Sequence, residues 1–167
     1  MQTIHFIAKL ELDALITLPY EASNKLPSRG MNMAEGLVNG THFRVLLQPD
    51  GQLSHWFRLD KILLKAASVK IGDKVSLEIA LIKEWPEPKV TSDITKALAA
   101  DPQAQAAWED ITPMARWDWL NWMDAVKLAQ TRKERPAKLC SMLKAGKRRP
   151  CCFNRAAQMP PRSASLL

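Results

Sequence analysis

The sequence predicts an α+β protein in which a small β-barrel precedes a helical module. Apolar and polar residues alternate over much of residues 1–85, which is the period of a half-buried strand. A proline-rich segment, Trp85-Pro86-Glu87-Pro88, interrupts that pattern, and apolar residues beyond it recur at helical spacing. We therefore expect a β-barrel domain over 1–85, a helical module over 91–148 and a disordered basic tail over 149–167.

The first strand is expected from Ile4 to Leu12, where the even-numbered positions are apolar. The alternation continues to Leu18. Pro19 ends it, because proline has no amide hydrogen to give to a ladder. Residues 20–30 contain several turn formers and are expected to form a loop.

Tight turns connect the strands that follow. Asn39-Gly40 supplies two residues that tolerate positive φ, which favours a hairpin between strands at 33–38 and 43–47. Pro49-Asp50-Gly51 predicts the next turn. It is followed by a strand over 53–59, a short helix over 61–67 capped by Asp60, and a last strand over 75–81. About six short strands with one small helix predict a closed or nearly closed barrel.

Cap residues and prolines mark the helices of the second half. The expected helices are 94–100 capped by Ser92 or Asp93, a second from Asp101-Pro102 through Trp108, a third from Thr112-Pro113 to about Ala129, and a fourth over 132–143 capped by Thr131. In the fourth helix Pro136 should fall near the first turn, where proline is tolerated.

Charge is distributed unevenly along the chain. Residues 126–167 carry eleven cations and one anion, whereas residues 1–125 carry 13 cations and 16 anions. The basic third should attract phosphates, acidic lipids or acidic proteins, and nucleic acid is one possible partner. A basic solubilising tail without a specific partner would have the same composition. Trp108, Trp117, Trp119 and Trp122 can stack on bases, but their helical spacing favours core packing.

Several classes of protein are not supported. No apolar run approaches the roughly 20 residues that span a bilayer, and the N-terminus does not resemble a signal peptide. Three cysteines do not form a disulfide framework and fit a reducing compartment, so a cytoplasmic location is expected. The sequence contains no phosphate-binding glycine loop, nucleophile elbow or metal-ligand spacing. We therefore expect no enzyme activity, cofactor or metal.

The most specific constellation is basic. Lys127, Thr131, Arg132 and Arg135 gather where one helix is expected to end and the next to begin. An anion or acidic partner there would meet free amide groups, a hydroxyl and up to three cations. The same residues have a structural interpretation, because Lys127 complements a helix dipole and the arginines can pair with Asp124, Glu109 or Asp110. Both interpretations remain open at this point.

A second possible site lies in the barrel. His42, Arg44 and His55 would be candidate ligands for a small molecule if the barrel held an apolar cavity with their side chains turned inward. Satisfied structural histidines are the simpler interpretation.

The helical module resembles the YdeI/OmpD-associated family. The residues that carry the resemblance are Trp122-Met123-Asp124-Ala125-Val126-Lys127, Thr131-Arg132-Lys133-Glu134-Arg135 and Leu143-Lys144-Ala145-Gly146-Lys147-Arg148. Upstream, Asn39-Gly40-Thr41-His42-Phe43-Arg44 and Gly72-Asp73-Lys74-Val75 resemble the small β-barrel domain of unknown function that often precedes this module. The resemblance covers about residues 4–148.

The resemblance implies a bacterial, non-enzymatic protein linked to bacteriocin or antimicrobial-peptide protection and to envelope stress. It implies no ligand and no catalytic residue. A binding protein of this type is the leading hypothesis; a nucleic-acid-binding protein and a small-molecule-binding or enzymatic barrel are the alternatives.

Overall fold

The computed structural model describes residues 3–150, which divide into two compact units between Glu84 and Trp85. The first unit is built on six antiparallel strands and the second on four helices, so the α+β class is confirmed. No helix between residues 3 and 150 is long and apolar enough to cross a membrane. The tail expected to be disordered falls, from Cys151 onward, outside the described residues.

The strands form one sheet with the order β1-β6-β3-β4-β5-β2. Their bounds are β1 Thr3–Lys9, β2 Leu15–Thr17, β3 Asn32–Val38, β4 Thr41–Pro49, β5 His55–Arg58 and β6 Lys74–Leu81. Neighbouring strands pair antiparallel throughout. Within the described chain β1 and β2 stand at opposite ends of this order with no ladder between them, so the sheet is a half-barrel and its expected closure is not confirmed.

The apolar positions that alternate along the predicted strands are the positions whose side chains are buried. In β1 the side chains of Ile4, Phe6 and Ala8 are buried, and the residues between them are exposed. They join a single apolar core with inward residues of the other strands. At Gly36 an added Cβ would lie 2.0 Å from the carbonyl oxygen of Glu78, so only glycine fits between β3 and β6.

The hairpin turn and the helix cap that the sequence predicted in the first unit are both present. Asn39 and Gly40 have φ values of 47° and 76°, which is the geometry of a two-residue hairpin turn. The carboxylate of Asp60 accepts a hydrogen bond of 2.7 Å from the amide of Leu63 and thereby caps α2, Lys61–Ala66.

Two expectations for the first unit need correction. The first expected strand is two strands, because a 3₁₀ turn at Leu12–Ala14, with φ of 58° at Asp13 and at Ala14, separates β1 from β2. The segment expected to be a loop begins with one helical turn, α1, Tyr20–Ser23, which follows Pro19. Proline fixes its own φ and ends the preceding strand, but it can stand directly before a helical turn.

Four helices make up the second unit. They are α3 Ser92–Ala99, α4 Pro102–Asp110, α5 Pro113–Asp124 and α6 Ala129–Lys144. Asp101 and Thr112 cap α4 and α5 as expected, each accepting a 3.2 Å hydrogen bond from the amide three residues on. Trp119 and Met123 of α5 are fully buried in the core of this unit.

The ends of the last two helices differ from the prediction. Helix α5 stops at Asp124 rather than near Ala129, and α6 begins at Ala129 with Leu128 at its N-cap position. Thr131 therefore lies inside the first turn of α6, and its expected role as a cap is wrong. Pro136 consequently falls in the interior of α6, where it is buried. The helix starts earlier than proline chemistry alone suggests because packing of its buried face outweighs one lost hydrogen bond.

Candidate functional site

His55, one of the three candidate barrel ligands, belongs to a buried polar network. Its Nε2 lies 2.8 Å from the carbonyl oxygen of Gly30, and its Nδ1 lies 2.7 Å from the hydroxyl of Ser23. Because a carbonyl can only accept, Nε2 carries the proton and Nδ1 accepts from Ser23. Burial lowers the pKa of His55 below its ordinary value of 6.5. With 1% of its surface exposed, His55 is closed to solvent and connects three segments of the first unit.

The other two barrel candidates lie elsewhere. His42 and Arg44 are exposed on β4, on the face opposite to the buried Phe43. Arg44 lies 3.4 Å from Glu35 on the neighbouring strand, an exposed ion pair. The three residues therefore do not converge inside the barrel, and the expected inward constellation is absent from the described fold.

His42 and Arg44 instead line an open cleft between β4 and α2, here named the β4–α2 cleft. Its volume is about 390 Å³. The residues that line it are Thr41, His42, Phe43, Arg44, Val45, Arg58, Asp60, Ile62, Leu63 and Ala66. Ile62 is 83% exposed at the helical wall, and Leu63 belongs to the core beneath it. The cleft combines an apolar floor with charged walls.

Arg58 is the distinctive group of the β4–α2 cleft. Its guanidinium carbon lies 5.9 Å from the centroid of the Trp56 ring, which is a long cation–π distance. Within residues 3–150 no carboxylate forms an ion pair with Arg58. Asp60, the acidic residue in the wall, is already engaged as the cap of α2. The cleft therefore offers a positive charge that the described fold does not neutralise.

In the helical unit, Arg132 of the predicted basic constellation is held by two carboxylates. Its Nη1 lies 2.7 Å from Asp93 of α3 and its Nε lies 3.7 Å from Asp124 at the end of α5. A hydrogen bond from the Thr91 hydroxyl and the contact with Arg132 lower the pKa of Asp93. Arg132 therefore ties three helices together, as the structural interpretation required.

Arg135 also has an internal role. Its guanidinium carbon lies 3.7 Å from the centre of the Trp122 ring, and its Nη1 donates a 2.6 Å hydrogen bond to the carbonyl oxygen of the same residue. Stacking and hydrogen bonding together secure the C-terminal part of α5 against α6. The side chain is half-buried, and both its planar face and one of its N–H donors are already engaged by Trp122.

Lys127 and Thr131 complete the predicted group. Lys127 is exposed in the segment between α5 and α6, and no ion pair or hydrogen bond of its side chain occurs in the described part of the chain. Thr131 is half-buried in the first turn of α6. The four residues lie within nine positions of one another, but the two arginines are directed to internal partners.

Ion pairs join the basic C-terminal segment to the acidic helices before it. They connect Arg132 to Asp93, Lys144 to Asp101, Arg148 to Asp110 and Arg149 to Asp118, at 2.7, 2.7, 2.6 and 3.5 Å. Arg116 similarly reaches Glu87 and donates to the carbonyl oxygens of Trp108 and Glu109. Four of the nine cations between residues 126 and 150 are thus paired inside the second unit, which leaves less free positive charge for nucleic acid than the sequence suggests.

The tryptophans follow the packing interpretation. Trp108, Trp119 and Trp122 are buried in the core of the second unit, and the last two meet edge to face at 5.7 Å. Cys140 is buried as a free thiol. Among residues 3–150 no three His, Cys, Asp or Glu side chains are placed to hold a metal ion.

Two family matches agree with this division of the chain. Residues 87–146 match the family described as bacteriocin-protection, YdeI or OmpD-associated. The helical unit of the chain therefore carries a YdeI/OmpD-associated module. Residues 8–79 match a domain of unknown function, DUF1905, which is the preceding domain that the sequence suggested. No curated protein matches the sequence.

Sequence reasoning missed Arg58, Asp60 and Ile62 as neighbours of His42 and Arg44. Arg58 stands two residues after Trp56 and next to the buried Phe57, so alternation alone places it on the outer face. No sequence signal predicts that Arg58 lies beside the edge of β4, because β5 and β4 meet there only through the folding of the sheet and α2.

Proposed function

We propose that this YdeI/OmpD-associated protein is a non-enzymatic binding protein whose β4–α2 cleft takes a ligand bearing an anionic group, a carboxylate or a phosphate. The observation that carries the proposal is the guanidinium of Arg58, which lines the cleft and has no ion pair within the described chain. A volume of about 390 Å³ lies within the range of about 300–1,000 Å³ that is typical of small-ligand sites.

The walls of the cleft support an anion rather than a cation. Arg44 and Arg58 contribute two positive charges, and the carboxylate of Asp60 is directed to the amide of Leu63. Glu35 lies 3.4 Å from Arg44, but both side chains are about half exposed and the pair is weak. Arg44 can therefore exchange Glu35 for a ligand at small cost. Ile62 offers an apolar contact beside the charge.

The basic residues at the α5–α6 junction are a weaker candidate for the ligand site. Arg132 already has two carboxylate partners and Arg135 already stacks on Trp122. A ligand there would have to displace Asp93, whose pKa is lowered by its hydrogen bond from Thr91 and by Arg132. Of the four predicted residues, Lys127 is the cation with no partner in the described part of the chain, and a single charge on a flexible side chain provides little specificity.

The placement of two reactive groups supports the proposal of binding rather than catalysis. The hydroxyl of Ser23 and the ring of His55 form a hydrogen-bonded pair that resembles a nucleophile and its base. They are 0% and 1% exposed, so no substrate can reach them. In the cleft itself Arg44 and Arg58 are suited to hold an anion, since arginine does not act as a base at neutral pH, and the carboxylate of Asp60 is engaged by the amide of Leu63.

The biological role in this proposal comes from the family. The description of the matched family names bacteriocin protection. We extend that role to this chain as a cytoplasmic, bacterial protein that acts in envelope stress by retaining an anionic ligand or partner. Expression of the chain in a susceptible bacterium should raise the bacteriocin concentration that inhibits growth, and Arg58→Ala should remove the effect.

A titration of the full chain with succinate and with inorganic phosphate tests the binding site directly. Amide signals of residues 41–45 and 58–66 should shift in NMR spectra, and the shifts should weaken strongly in Arg58→Ala. Lys127→Ala is the matched control, because it removes an exposed cation of the other unit and should leave the titration unchanged. Shifts that centre on residues 127–135, or no shifts at millimolar ligand, would contradict the proposal.

A further inference from the structure

The edge of β4 that borders the cleft carries unused main-chain groups. In β3 the carbonyl of Met33 accepts from the amide of Ile82, so the odd-numbered residues of β3 face β6. The even-numbered residues of β3 consequently face β4, and they pair with Thr41, Phe43 and Val45. The amides and carbonyls of His42 and Arg44 therefore face away from β3, at the edge of β4 that lines the β4–α2 cleft.

The far side of β4 has a partner only at its C-terminal end. Gln48 pairs with Trp56 and Pro49 with His55, and the amide of Asp50 donates to Ser54. Strand β5 then turns away to pair with β2, where Arg58 lies opposite Leu15. Between residues 3 and 150 no backbone hydrogen bond reaches the outward groups of His42 and Arg44.

From this edge we infer that the β4–α2 cleft binds an extended acidic peptide segment, which adds to the sheet beside β4. The inference rests on the proposed anion-binding function of the same cleft and names its partner class. Two amides and two carbonyls at His42 and Arg44 would pair with the main chain of the peptide, as in other cases of strand addition. An acidic side chain of the peptide would meet Arg58, and an apolar one would cover Ile62.

Charge argues for an acidic peptide over a second copy of this chain. Two β4 edges paired with each other would bring the cationic side chains at Arg44 and Arg58 of both copies together, and like charges across a strand pair are unfavourable. A peptide with alternating acidic and apolar residues places its acids on one face, because side chains alternate along a strand. That face matches the arginines.

The test uses the full chain and the acetylated, amidated peptide Val-Glu-Val-Glu-Val. Binding should shift the amide signals of His42 and Arg44 and protect those amides from hydrogen exchange. A matched peptide that is N-methylated at the two residues facing β4 keeps its charge but loses two main-chain donors, and its affinity should fall about tenfold or more. A peptide with lysine in place of both glutamates should not bind.

Two protein variants distinguish the contribution of the β4 main chain to peptide binding from the contribution of its charge. Arg44→Ala removes a cation and keeps the amide, whereas Arg44→Pro also removes the outward amide, at a position where an edge strand tolerates proline. Arg44→Pro should bind the peptide at least several-fold more weakly than Arg44→Ala. The N-methylated peptide gives the same discrimination if Arg44→Pro does not fold.

The outcomes distinguish this inference from the proposed function. Strand addition would be overturned if the parent and N-methylated peptides bound with equal affinity, or if succinate bound and the peptide did not. Either result would still be consistent with the proposed anion site. Failure of succinate, phosphate and peptide alike would overturn both. A dimer in sedimentation experiments that the peptide cannot dissociate would favour edge pairing between two copies and would also overturn the inference.

Discussion

The two units of this protein are stabilised in different ways. In the sheet unit, apolar side chains meet in one core and the backbone ladders place them, while the ion pair Arg44–Glu35 lies exposed at 3.4 Å. The helical unit also has an apolar core, but arginines and a lysine of α6 and the segment after it reach acidic residues of α3, α4 and α5.

The difference shows what each unit uses to fix its geometry. A sheet aligns its strands by hydrogen bonds that any residue can make, so its side chains need only alternate. Helices have no such ladder between them. In the helical unit, long side chains such as Arg132 and Arg135 connect neighbouring helices and supply part of the missing directionality.

The largest expected loss of stability comes from a substitution at the centre of the helical core. Trp119 is fully buried, stacks edge to face on Trp122 and donates from Nε1 to the carbonyl oxygen of Arg148. Trp119→Ala should cost about 3–5 kcal/mol of unfolding free energy. Residue-resolved hydrogen exchange should show the loss in α3–α6 and not in the sheet unit. An equal loss of protection in β1 and β6 would show that the two units unfold together.

The next largest loss of stability is expected from a substitution that tests how closely β3 and β6 approach each other at Gly36. A methyl group at Gly36 would collide with the backbone carbonyl of Glu78, and a backbone atom cannot rotate away. Gly36→Ala should destabilise the sheet unit by about 1–3 kcal/mol, measured by chemical denaturation. Glu35→Ala, on the exposed side of the same strand, is the control and should change stability by less than about 0.5 kcal/mol.

The two units should lose stability in different pH ranges as the solution is acidified. The pKa of His55 is lowered by burial, so its contribution to stability is present above 6.5 and is lost as pH falls through the folded pKa. Asp93 and Asp101 have pKa values below their ordinary 3.8, through Thr91 and Arg132 and through Lys144 respectively, and their contribution is lost only as pH falls below that value.

Hydrogen exchange at pH 7.5, 5.5 and 3 checks this order. Protection in the sheet unit should decline between pH 7.5 and 5.5, while protection in the helical unit should hold until the lowest pH. In His55→Gln the decline between pH 7.5 and 5.5 should disappear, whatever the starting stability of the variant. A helical unit that opens first would contradict the assignment of the two titrations.

The smallest expected effects compare two cations at one junction. Arg132→Ala should lower the stability of the helical unit by about 1 kcal/mol, and less at high salt, because its carboxylate partners are partly exposed. Lys127→Ala should change it by less than about 0.5 kcal/mol. Thermal melts at low and high salt measure both. Equal effects would show that Arg132 does not connect the helices.

Much of the fold was predictable from local patterns in the sequence. Alternation identified the buried faces of β1 and β6, and Asn39-Gly40 identified the hairpin between β3 and β4. Asp60, together with Asp101 and Thr112, identified helix starts. At Thr131 the same reasoning was wrong, because a capping residue is also tolerated inside a first turn and packing placed the start of α6 three residues earlier than expected.

The candidate site was only partly predictable. His42 and Arg44 were identified as possible ligand residues, and their position on the outer face of β4 follows from alternation. Their grouping with Arg58 and Ile62, and the separation of His55 from them, required the path of β5 away from β4. The sequence contains the charges but not the distances between them.

By itself, then, the sequence determined most of the strands and helices, the buried faces and most of the turns, because each of these depends on residues within a few positions of one another. The tertiary structure alone decided that Arg132 meets Asp93 across 39 positions and that an edge of β4, unpaired within residues 3–150, lies beside Arg58. Such contacts depend on loop closure between distant segments, whose energy is spread over the whole core and is not carried by any local pattern.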